Sequence, residues 1–200
     1  MTAAVLALLL LAAPARAEQP AWQEGKALIK RGERRADKAE KLADFRRAEK
    51  DLEAAATANP GDALAHFWHG MSLGRLGETQ GIMKSLFLIK PIRREMQETI
   101  RLDPKHGGAH RVLGEILWQV PGFAGGDKKK ALEEFEAAVR LNPEHTSNYA
   151  PLAKAYIHFG RKDEAVALLR RVEAIKDPAD PEEYSGDLAD ARRLLAKLAR

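Results

Sequence analysis

The chain has 200 residues, of which 45% are hydrophobic and 31% are charged, and it carries a formal net charge of +4. This composition fits one soluble globular domain, and the interleaving of acidic and basic residues argues against nucleic-acid binding. The absence of cysteine excludes disulfides and thiol catalysis among these residues. Ala, Leu, Glu, Arg and Lys predominate and no segment alternates like a strand, so we predict an all-helical chain.

The N-terminal residues have the pattern of a secretory signal. Residues 5–13 form an apolar run that is too short for a stable bilayer span, and Ala15 and Ala17 are the small residues that signal peptidase requires. We therefore predict a signal peptide at residues 1–17, cleaved after Ala17. The mature chain would be periplasmic or secreted, with no stable membrane anchor. No basic residue precedes the run, and the alternative interpretation is a buried N-terminal helix.

A first helical hairpin is predicted to follow. Its first helix places Trp22 and Ile29 on one face and is expected to end near Gly32. Its second helix covers residues 33–57, with apolar positions on one side and mixed charges on the other. The Asn-Pro-Gly-Asp sequence at residues 59–62 predicts a stop and a new helix start.

The second predicted hairpin opens at Ala63. Gly70 is expected at a close contact between its two helices. Gly74 and Gly77 are expected to end the first helix, because glycine is unfavourable inside helices. The returning helix is expected to end at residues 102–104, which read Leu-Asp-Pro.

An apolar insertion at residues 79–90 lies inside this hairpin. Ile82, Leu86 and Ile89 recur at helical spacing, so we predict an additional helical stretch before the regular second helix. Pro91 is expected either to kink this stretch or to begin a new helix. The sequence leaves open whether the insertion is core, an oligomer contact or a ligand site.

The third predicted hairpin has small residues where two helices must approach closely. Gly114 lies on its first helix, and Ala131 and Ala138 lie on its second helix. Asp127, after the pair Gly125-Gly126, is expected to cap the second helix. Phosphate binding at the glycine pair is the alternative, although the Asp127 carboxylate would occupy that position.

The fourth predicted hairpin begins at Thr146, turns at Gly160 and ends at residues 177–178. Asp180 and Pro181 then predict the cap and first residue of a last helix. That helix is apolar on one side only, as expected for an element that closes the open end of a helical array.

The residue spacing resembles the tetratricopeptide repeat (TPR), in which two helices alternate with a period of about 34 residues. The residues that carry this resemblance are small, aromatic, leucine or proline residues at consensus positions: Trp22, Gly70, Leu73, Leu113, Gly114, Leu117, Ala131, Phe135, Ala138, Pro143, Tyr149, Ala153, Tyr156 and Ala165. The resemblance implies an all-α, TPR-type α-solenoid of about four helical hairpins. Insertions are expected in repeats two and three, and a capping helix at the C-terminus. The expected repeats are residues 19–60, 63–104, 107–143 and 146–178, with the capping helix at 181–199.

A narrower resemblance rests on residues 81–104 and residues 120–131. Both stretches are similar to the group that contains the regulator of microtubule dynamics proteins and the periplasmic TPR component associated with TRAP transporters. With a signal peptide, the transporter-associated branch fits better than a microtubule role. Lipoprotein members of that branch would have a cysteine that this chain does not contain.

No catalytic arrangement emerges from the sequence. His66 and His69 are three residues apart and His106 and His110 are four apart, spacings that could bring two imidazoles together on a helix. These histidines fall at packing or turn positions, so we predict no metal, no cofactor and no catalytic residue. We expect a protein that is not an enzyme.

The candidate site is the concave groove that the first helix of each TPR would line. Counting from the consensus glycines predicts apolar and charged side chains there: Phe67, Met71, Arg111, Glu115, Trp118, Lys154, Ile157 and His158. An ordinary mixed surface is the alternative. We expect a scaffold for a protein or peptide partner, or else a TRAP-transporter accessory that binds a small hydrophobic ligand or a solute-binding partner. Neither the partner, the pathway nor the oligomeric state follows from the sequence.

Overall fold

The structure is a computed structural model that describes residues 20–199, so the predicted signal peptide lies outside the described residues. Residues 20–199 contain helices and turns and no strand. The helices are α1 (Trp22–Arg34), α2 (Lys38–Ala58), α3 (Ala63–Gln80), α4 (Ile82–Leu102), α5 (Gly107–Gln119), α6 (Lys128–Leu141), α7 (Tyr149–His158), α8 (Lys162–Ala174) and α9 (Pro181–Leu198). Two short 3-10 helices, Gly122–Ala124 and Thr146–Asn148, lie in the connections. Within this part of the chain, no helix combines the length and apolar character needed to cross a bilayer.

The helices form four stacked hairpins. The helices of each pair, α1 with α2, α3 with α4, α5 with α6 and α7 with α8, pack against each other, and each hairpin packs on the next. Helix α9 packs on α7 and α8, where its Leu188, Ala191 and Leu195 join the core of the fourth hairpin. The expected all-α solenoid with a capping helix is confirmed.

A glycine on the first helix of three of the four hairpins makes room for a large side chain on the second helix. Gly114 faces Phe135 so closely that a Cβ on the glycine would overlap the ring. Gly70 stands in the same relation to Met96, and Gly25 to Leu52. In the fourth hairpin the buried Ala153 and Leu169 belong to one core cluster. The predicted role of Gly70 and Gly114 as contact residues is confirmed, and Gly25 adds a third position that was not predicted from the sequence.

The second hairpin is longer than its neighbours, and several predicted boundaries were wrong. Helix α3 continues through Gly74 and Gly77 to Gln80, because the missing Cβ of Gly77 leaves room for the backbone of Ser85. Helix α1 likewise runs past Gly32, which faces the ring of Phe45, to Arg34. Helix α2 therefore begins at Lys38 and not at residue 33.

The additional helical stretch is confirmed, but it is the first half of α4 and not a separate helix. Helix α4 continues across Pro91 from Ile82 to Leu102, so a new helix does not begin there. Leu88 and Ile92 lie one turn apart on either side of the proline and both pack against core clusters. This packing holds the two halves in one helix despite the hydrogen bond that proline cannot donate.

The two predicted helix caps differ in outcome. The Asp127 carboxylate accepts hydrogen bonds from the backbone N–H groups of Lys129 and Lys130, at 3.0 and 3.1 Å, so this cap is confirmed. Asp180 precedes α9 as expected, but its side chain does not cap the helix. It reaches instead toward Lys30 of α1, which offers a positive charge.

Antiparallel stacking gives the solenoid two edges. We call the turns inside the hairpins, at residues 35–37, 81, 120–127 and 159–161, the hairpin-turn edge. The turns between hairpins, at residues 59–62, 103–106, 142–145 and 175–180, form the inter-repeat edge. At three of these four inter-repeat turns, the side chain six residues after the proline hydrogen-bonds the proline carbonyl. The pairs are His66–Pro60 and His110–Pro104, both 3.2 Å, and Tyr149–Pro143, 2.8 Å.

Candidate partner-binding cavity

A cavity of about 510 Å³ lies where the first helices of the first three hairpins face the beginning of α9. Its walls come from α1, α3 and α5, from two inter-repeat turns and from the residues that lead into α9. The side chains that define its chemistry are Trp22, Lys26, Lys30, Glu33, Phe67, Trp68, Met71, Arg75, His106, Arg111, Asp180 and Glu183.

One wall of the cavity is apolar and aromatic. Phe67 packs edge-on against Trp68, with ring centroids 5.2 Å apart, and its ring also lies 4.3 Å from that of His106. Met71 follows one turn later on α3 and packs against the same two core clusters as Trp68. The Lys26 Nζ stands 4.9 Å from the Trp68 ring centroid, in cation–π range.

Paired charges also line the cavity. The Arg75 guanidinium donates to Glu33 at 2.7 Å and to Glu78 at 3.1 Å. Arg111 donates from Nη1 to Glu115 at 2.8 Å, while its buried Nε has no hydrogen-bond partner among the described residues. Buried donors are nearly always paired, so an acceptor beside Arg111 would remove a cost of about 1–3 kcal/mol.

Ion pairs join the two ends of the solenoid across this cavity. Lys30 of α1 lies 3.4 Å from Asp180 and 3.4 Å from Glu183 of α9, and Arg34 lies 3.9 Å from Glu182. Burial alone would lower the pKa of Lys30, but the neighbouring carboxylates outweigh that effect and raise the pKa. We call this set of ion pairs the α1–α9 clasp. It closes one side of what would otherwise be an open groove.

The predicted groove residues divide into two groups. Phe67, Met71 and Arg111 line the cavity, and Glu115 lies beside it as the partner of Arg111.

The other four residues lie outside the cavity, toward the C-terminal end. Trp118 packs edge-on against His158, with centroids 5.1 Å apart, and under Lys128. Lys154 is exposed, and Ile157 packs partly buried against the fourth-hairpin core. Whether any of the eight residues contacts a partner stays a prediction.

Part of the cavity wall was not predicted from the sequence. Trp68 and Arg75 share a face with Met71 at spacings of three and four residues, so the same helical counting could have found them. Lys30 and Asp180 are 150 residues apart, and no local pattern links them.

Three of the four histidines that could have held a metal contact carboxylates. His66 Nδ1 lies 2.7 Å from Glu95 and His110 Nδ1 lies 2.6 Å from Glu134. Burial would raise the pKa of Glu95, yet hydrogen bonds from His69 and His66 hold that pKa at about 2. No group of three or more potential metal ligands occurs among residues 20–199. These histidine–carboxylate contacts fix the two helices of a hairpin to each other.

Comparison with known families agrees with this architecture. The model of the family described as regulator of microtubule dynamics protein 1-3 (RMD1-3) matches residues 3–121, more than half of the chain. The chain belongs to this family. A tetratricopeptide repeat model matches residues 123–185, so the predicted TPR character is confirmed. No match was found among curated proteins.

Solved structures of TPR proteins share the fold of this RMD1-3 family chain. TTC0263, a thermophilic TPR protein of Thermus thermophilus, aligns with a TM-score of 0.56 at 20% identity over 86% of this chain and 84% of that one. MamA (41-end) from Desulfovibrio magneticus RS-1 aligns with a TM-score of 0.53 at 18% identity over 90% and 94%. At these identities the likeness shows the fold alone. TPR-type proteins are generally non-catalytic scaffolds for protein–protein interaction, and this RMD1-3 family chain has their architecture.

Proposed function

We propose that this chain is a non-catalytic periplasmic or secreted scaffold that binds a short segment of a partner protein in its concave cavity. The observation that carries the proposal is the pairing of an aromatic wall with arginines on the same first helices. Phe67 and Trp68 offer apolar contact, while Arg75 and Arg111 offer hydrogen bonds to carboxylates or carbonyls.

The size of the cavity limits what it binds. A volume of 510 Å³ lies within the range of about 300–1,000 Å³ that small-molecule sites occupy. It therefore accommodates a few side chains and not a whole helix. The expected segment carries one large apolar side chain for the Phe67–Trp68 wall and an acceptor for Arg111.

A small hydrophobic ligand is the second candidate, and the α1–α9 clasp favours it. A site closed by Lys30, Asp180 and Glu183 retains a small molecule better than an open groove does. The resemblance to the TRAP-associated TPR component points in the same direction, toward a transporter accessory.

Tryptophan fluorescence can detect binding in the cavity, since Trp22 and Trp68 line it. We expect a peptide library enriched in acidic and aromatic residues to yield ligands that change this emission. Arg111→Ala should weaken their binding by about tenfold or more, because it removes a charge-assisted hydrogen bond. Lys154→Ala, at an exposed position outside the cavity, is the matched control. Equal losses in both variants, or none in Arg111→Ala, would reject the cavity as the site.

Native mass spectrometry tests the second candidate. A small molecule that co-purifies with the chain, and that Trp68→Ala releases while Trp118→Ala does not, would favour the accessory role over the peptide scaffold. Binding of library peptides by ligand-free protein would favour the scaffold.

The predicted location has its own test. We expect the chain recovered from a bacterium that expresses the full sequence to have the mass of residues 18–200. We also expect to find it in the periplasmic or culture fraction. A chain that retains residues 1–17 and fractionates with the cytoplasm would contradict the secretion proposal.

A further inference from the structure

Four large apolar side chains are exposed together at the tip of the α3–α4 hairpin. Ile82 is 77% exposed, Met83 65%, Leu86 55% and Phe87 73%. They follow one another at helical spacing on the first two turns of α4, and none of them joins a core cluster of the described residues. We call these four residues the α4 tip face.

The opposite side of the same two turns is occupied. Ser85 lies against Gly77 of α3, and Leu88 packs against the core cluster that contains Leu76. The 3.6-residue period then directs positions 82, 83, 86 and 87 away from the solenoid. The α4 tip face is therefore a surface that the fold itself does not use.

Basic residues continue this face toward the C-terminal end of α4. Lys90, Arg93 and Arg94 follow at positions that share the same side of the helix, one to two turns beyond Phe87. Lys84 adds a fourth positive charge, and residues 82–94 contain no acidic residue, although Arg94 also donates to the adjacent Glu95 at 3.1 Å. The neighbouring loop approaches this belt, since Arg93 donates to the Gly125 carbonyl at 3.1 Å.

That loop adds a further exposed aromatic. Phe123, between Gly122 and Ala124, is 96% exposed, and three lysines at positions 128–130 begin the next helix. The hairpin-turn edge thus presents apolar side chains together with a strong local excess of positive charge.

An apolar end followed by a basic belt fits the profile of a lipid bilayer surface. When the N-terminal end of α4 points into the bilayer, its first two turns, about 11 Å long, carry the apolar side chains across the depth of about 5–10 Å that interfacial segments reach. Lysines and arginines one to two turns further out then lie at the level of the lipid headgroups.

A second copy of this chain is a poorer occupant of the α4 tip face. A symmetric pair formed through it would bring the two basic belts together, and the like charges would oppose association. The positive charges of residues 82–94 are complementary to an anionic surface.

We propose that the α4 tip face inserts into anionic lipid bilayers, with Lys90, Arg93 and Arg94 at the headgroups. The chain would then hold its concave cavity at a membrane surface without a spanning helix. This inference does not depend on what the cavity binds.

Vesicle flotation tests the proposal. The chain should float with vesicles of phosphatidylcholine mixed with phosphatidylglycerol and not with phosphatidylcholine alone. Leu86→Ser combined with Phe87→Ser should weaken binding at least about tenfold, since both side chains lose apolar burial. Leu64→Ser removes a leucine that is 37% exposed beside the cavity, away from the α4 tip face, and this control variant should float with the vesicles as the parent does. Equal binding of the double variant and the parent would overturn the proposal.

Two variants and one control test whether positive charge on this face is required for binding. Lys84→Gln and Lys90→Gln should each weaken binding to anionic vesicles about fivefold, as expected for one surface charge. Lys176→Gln removes a lysine from the inter-repeat edge and should change nothing. A loss of the same size at Lys176 would show that binding follows net charge and not this face.

The absence of cysteine allows a direct measurement of orientation. Met83→Cys and, on the opposite edge, Ala179→Cys each provide a single site for an environment-sensitive fluorophore. Anionic vesicles should shift the emission at position 83 to shorter wavelength and leave position 179 unchanged. A shift at both positions or at neither would overturn the orientation. A dimer that Leu86→Ser and Phe87→Ser dissociate, without vesicle binding, would assign the face to self-association.

Discussion

The two edges of the solenoid are built from turns of one chain, yet they use their side chains differently. At the inter-repeat edge, proline carbonyls accept hydrogen bonds from His66, His110 and Tyr149, and Asn148 bonds two further carbonyls. At the hairpin-turn edge, large apolar side chains such as Phe87 are exposed to solvent. Repeat-to-repeat stacking is therefore specified on one edge, which leaves the other edge free to vary in length and chemistry.

The contrast is visible in the lengths of the turns. Three of the four inter-repeat turns, at residues 59–62, 103–106 and 142–145, have the same four-residue form with a proline at the second position, while the last turn has six residues. Hairpin turns range from the single residue Gly81, at a φ of 98°, to the eight residues 120–127. The hairpin turns therefore vary in length at the edge that lacks the repeated hydrogen bond to a proline carbonyl.

The strongest contrast between the edges should come from replacing one aromatic on each. Tyr149→Ala should lower the free energy of unfolding by about 3–5 kcal/mol, because the ring is buried and its hydroxyl bonds Pro143. Phe123→Ala should change it by less than about 0.5 kcal/mol, since that ring is almost fully exposed. Urea unfolding followed by circular dichroism measures both, and similar losses would show that the two edges do not differ in this way.

A buried amide gives the second test. Asn148→Ala should cost about 1–3 kcal/mol, because the carbonyls of Ala138 and Asn142 each lose the donor that lies 3.2 Å away. Gln119→Ala, at an exposed position on the hairpin-turn edge, should be neutral in the same unfolding experiment. If Asn148→Ala were also neutral, the amide would have no part in fixing the inter-repeat edge.

The third test uses pH. The hydrogen bond to Glu134 raises the pKa of His110, since both ring nitrogens face acceptors, Glu134 and the Pro104 carbonyl. A raised folded-state pKa stabilises the chain fully below the ordinary histidine value, and this contribution disappears as pH rises through the folded-state pKa. His110→Gln should therefore cost about 1–2 kcal/mol at pH 5.5 to 6, roughly the value of a charged hydrogen bond, and less at higher pH. A loss that grows with pH in urea unfolding would contradict this sign.

The smallest expected effect belongs to the α1–α9 clasp. Lys30→Ala should lower the free energy of unfolding by less than about 1 kcal/mol, because its ion pairs with Asp180 and Glu183 are partly solvated. The loss should shrink further when unfolding is repeated at high salt, where such pairs are screened. A loss well above that bound of about 1 kcal/mol, unchanged by salt, would show that Lys30 acts through packing.

Much of the architecture could be predicted from local patterns. Gly70 and Gly114 identified the helix contacts because only a missing Cβ lets a large partner approach, and the turn prolines marked the ends of the repeats. A different property of glycine, its low helix propensity, misled at Gly74 and Gly77. At Gly77 the close packing of Ser85 and Leu88 compensates for that low propensity, while Gly74 has no such contact.

The candidate site was less predictable, because its shape depends on contacts between distant segments. Helical counting placed Phe67, Met71 and Arg111 on one surface, and the cavity contains them. It could not show that Lys30 and Asp180 close that surface, since their contact depends on the curvature summed over four hairpins. Nor could it show that Trp118 turns toward His158 and Lys128, away from the cavity.

The α1–α9 clasp changes how disorder can spread through the molecule. In an ordinary repeat array each unit contacts only its neighbours, so the two terminal units unfold independently of each other. Here Lys30 of α1 forms ion pairs with Asp180 and Glu183 at the start of α9, so unfolding of α1 leaves these two carboxylates without their counter-ion. Order in the first unit and order in the last unit are therefore coupled, by less than about 1 kcal/mol through these ion pairs alone. A ligand held between the two units would stabilise both at once.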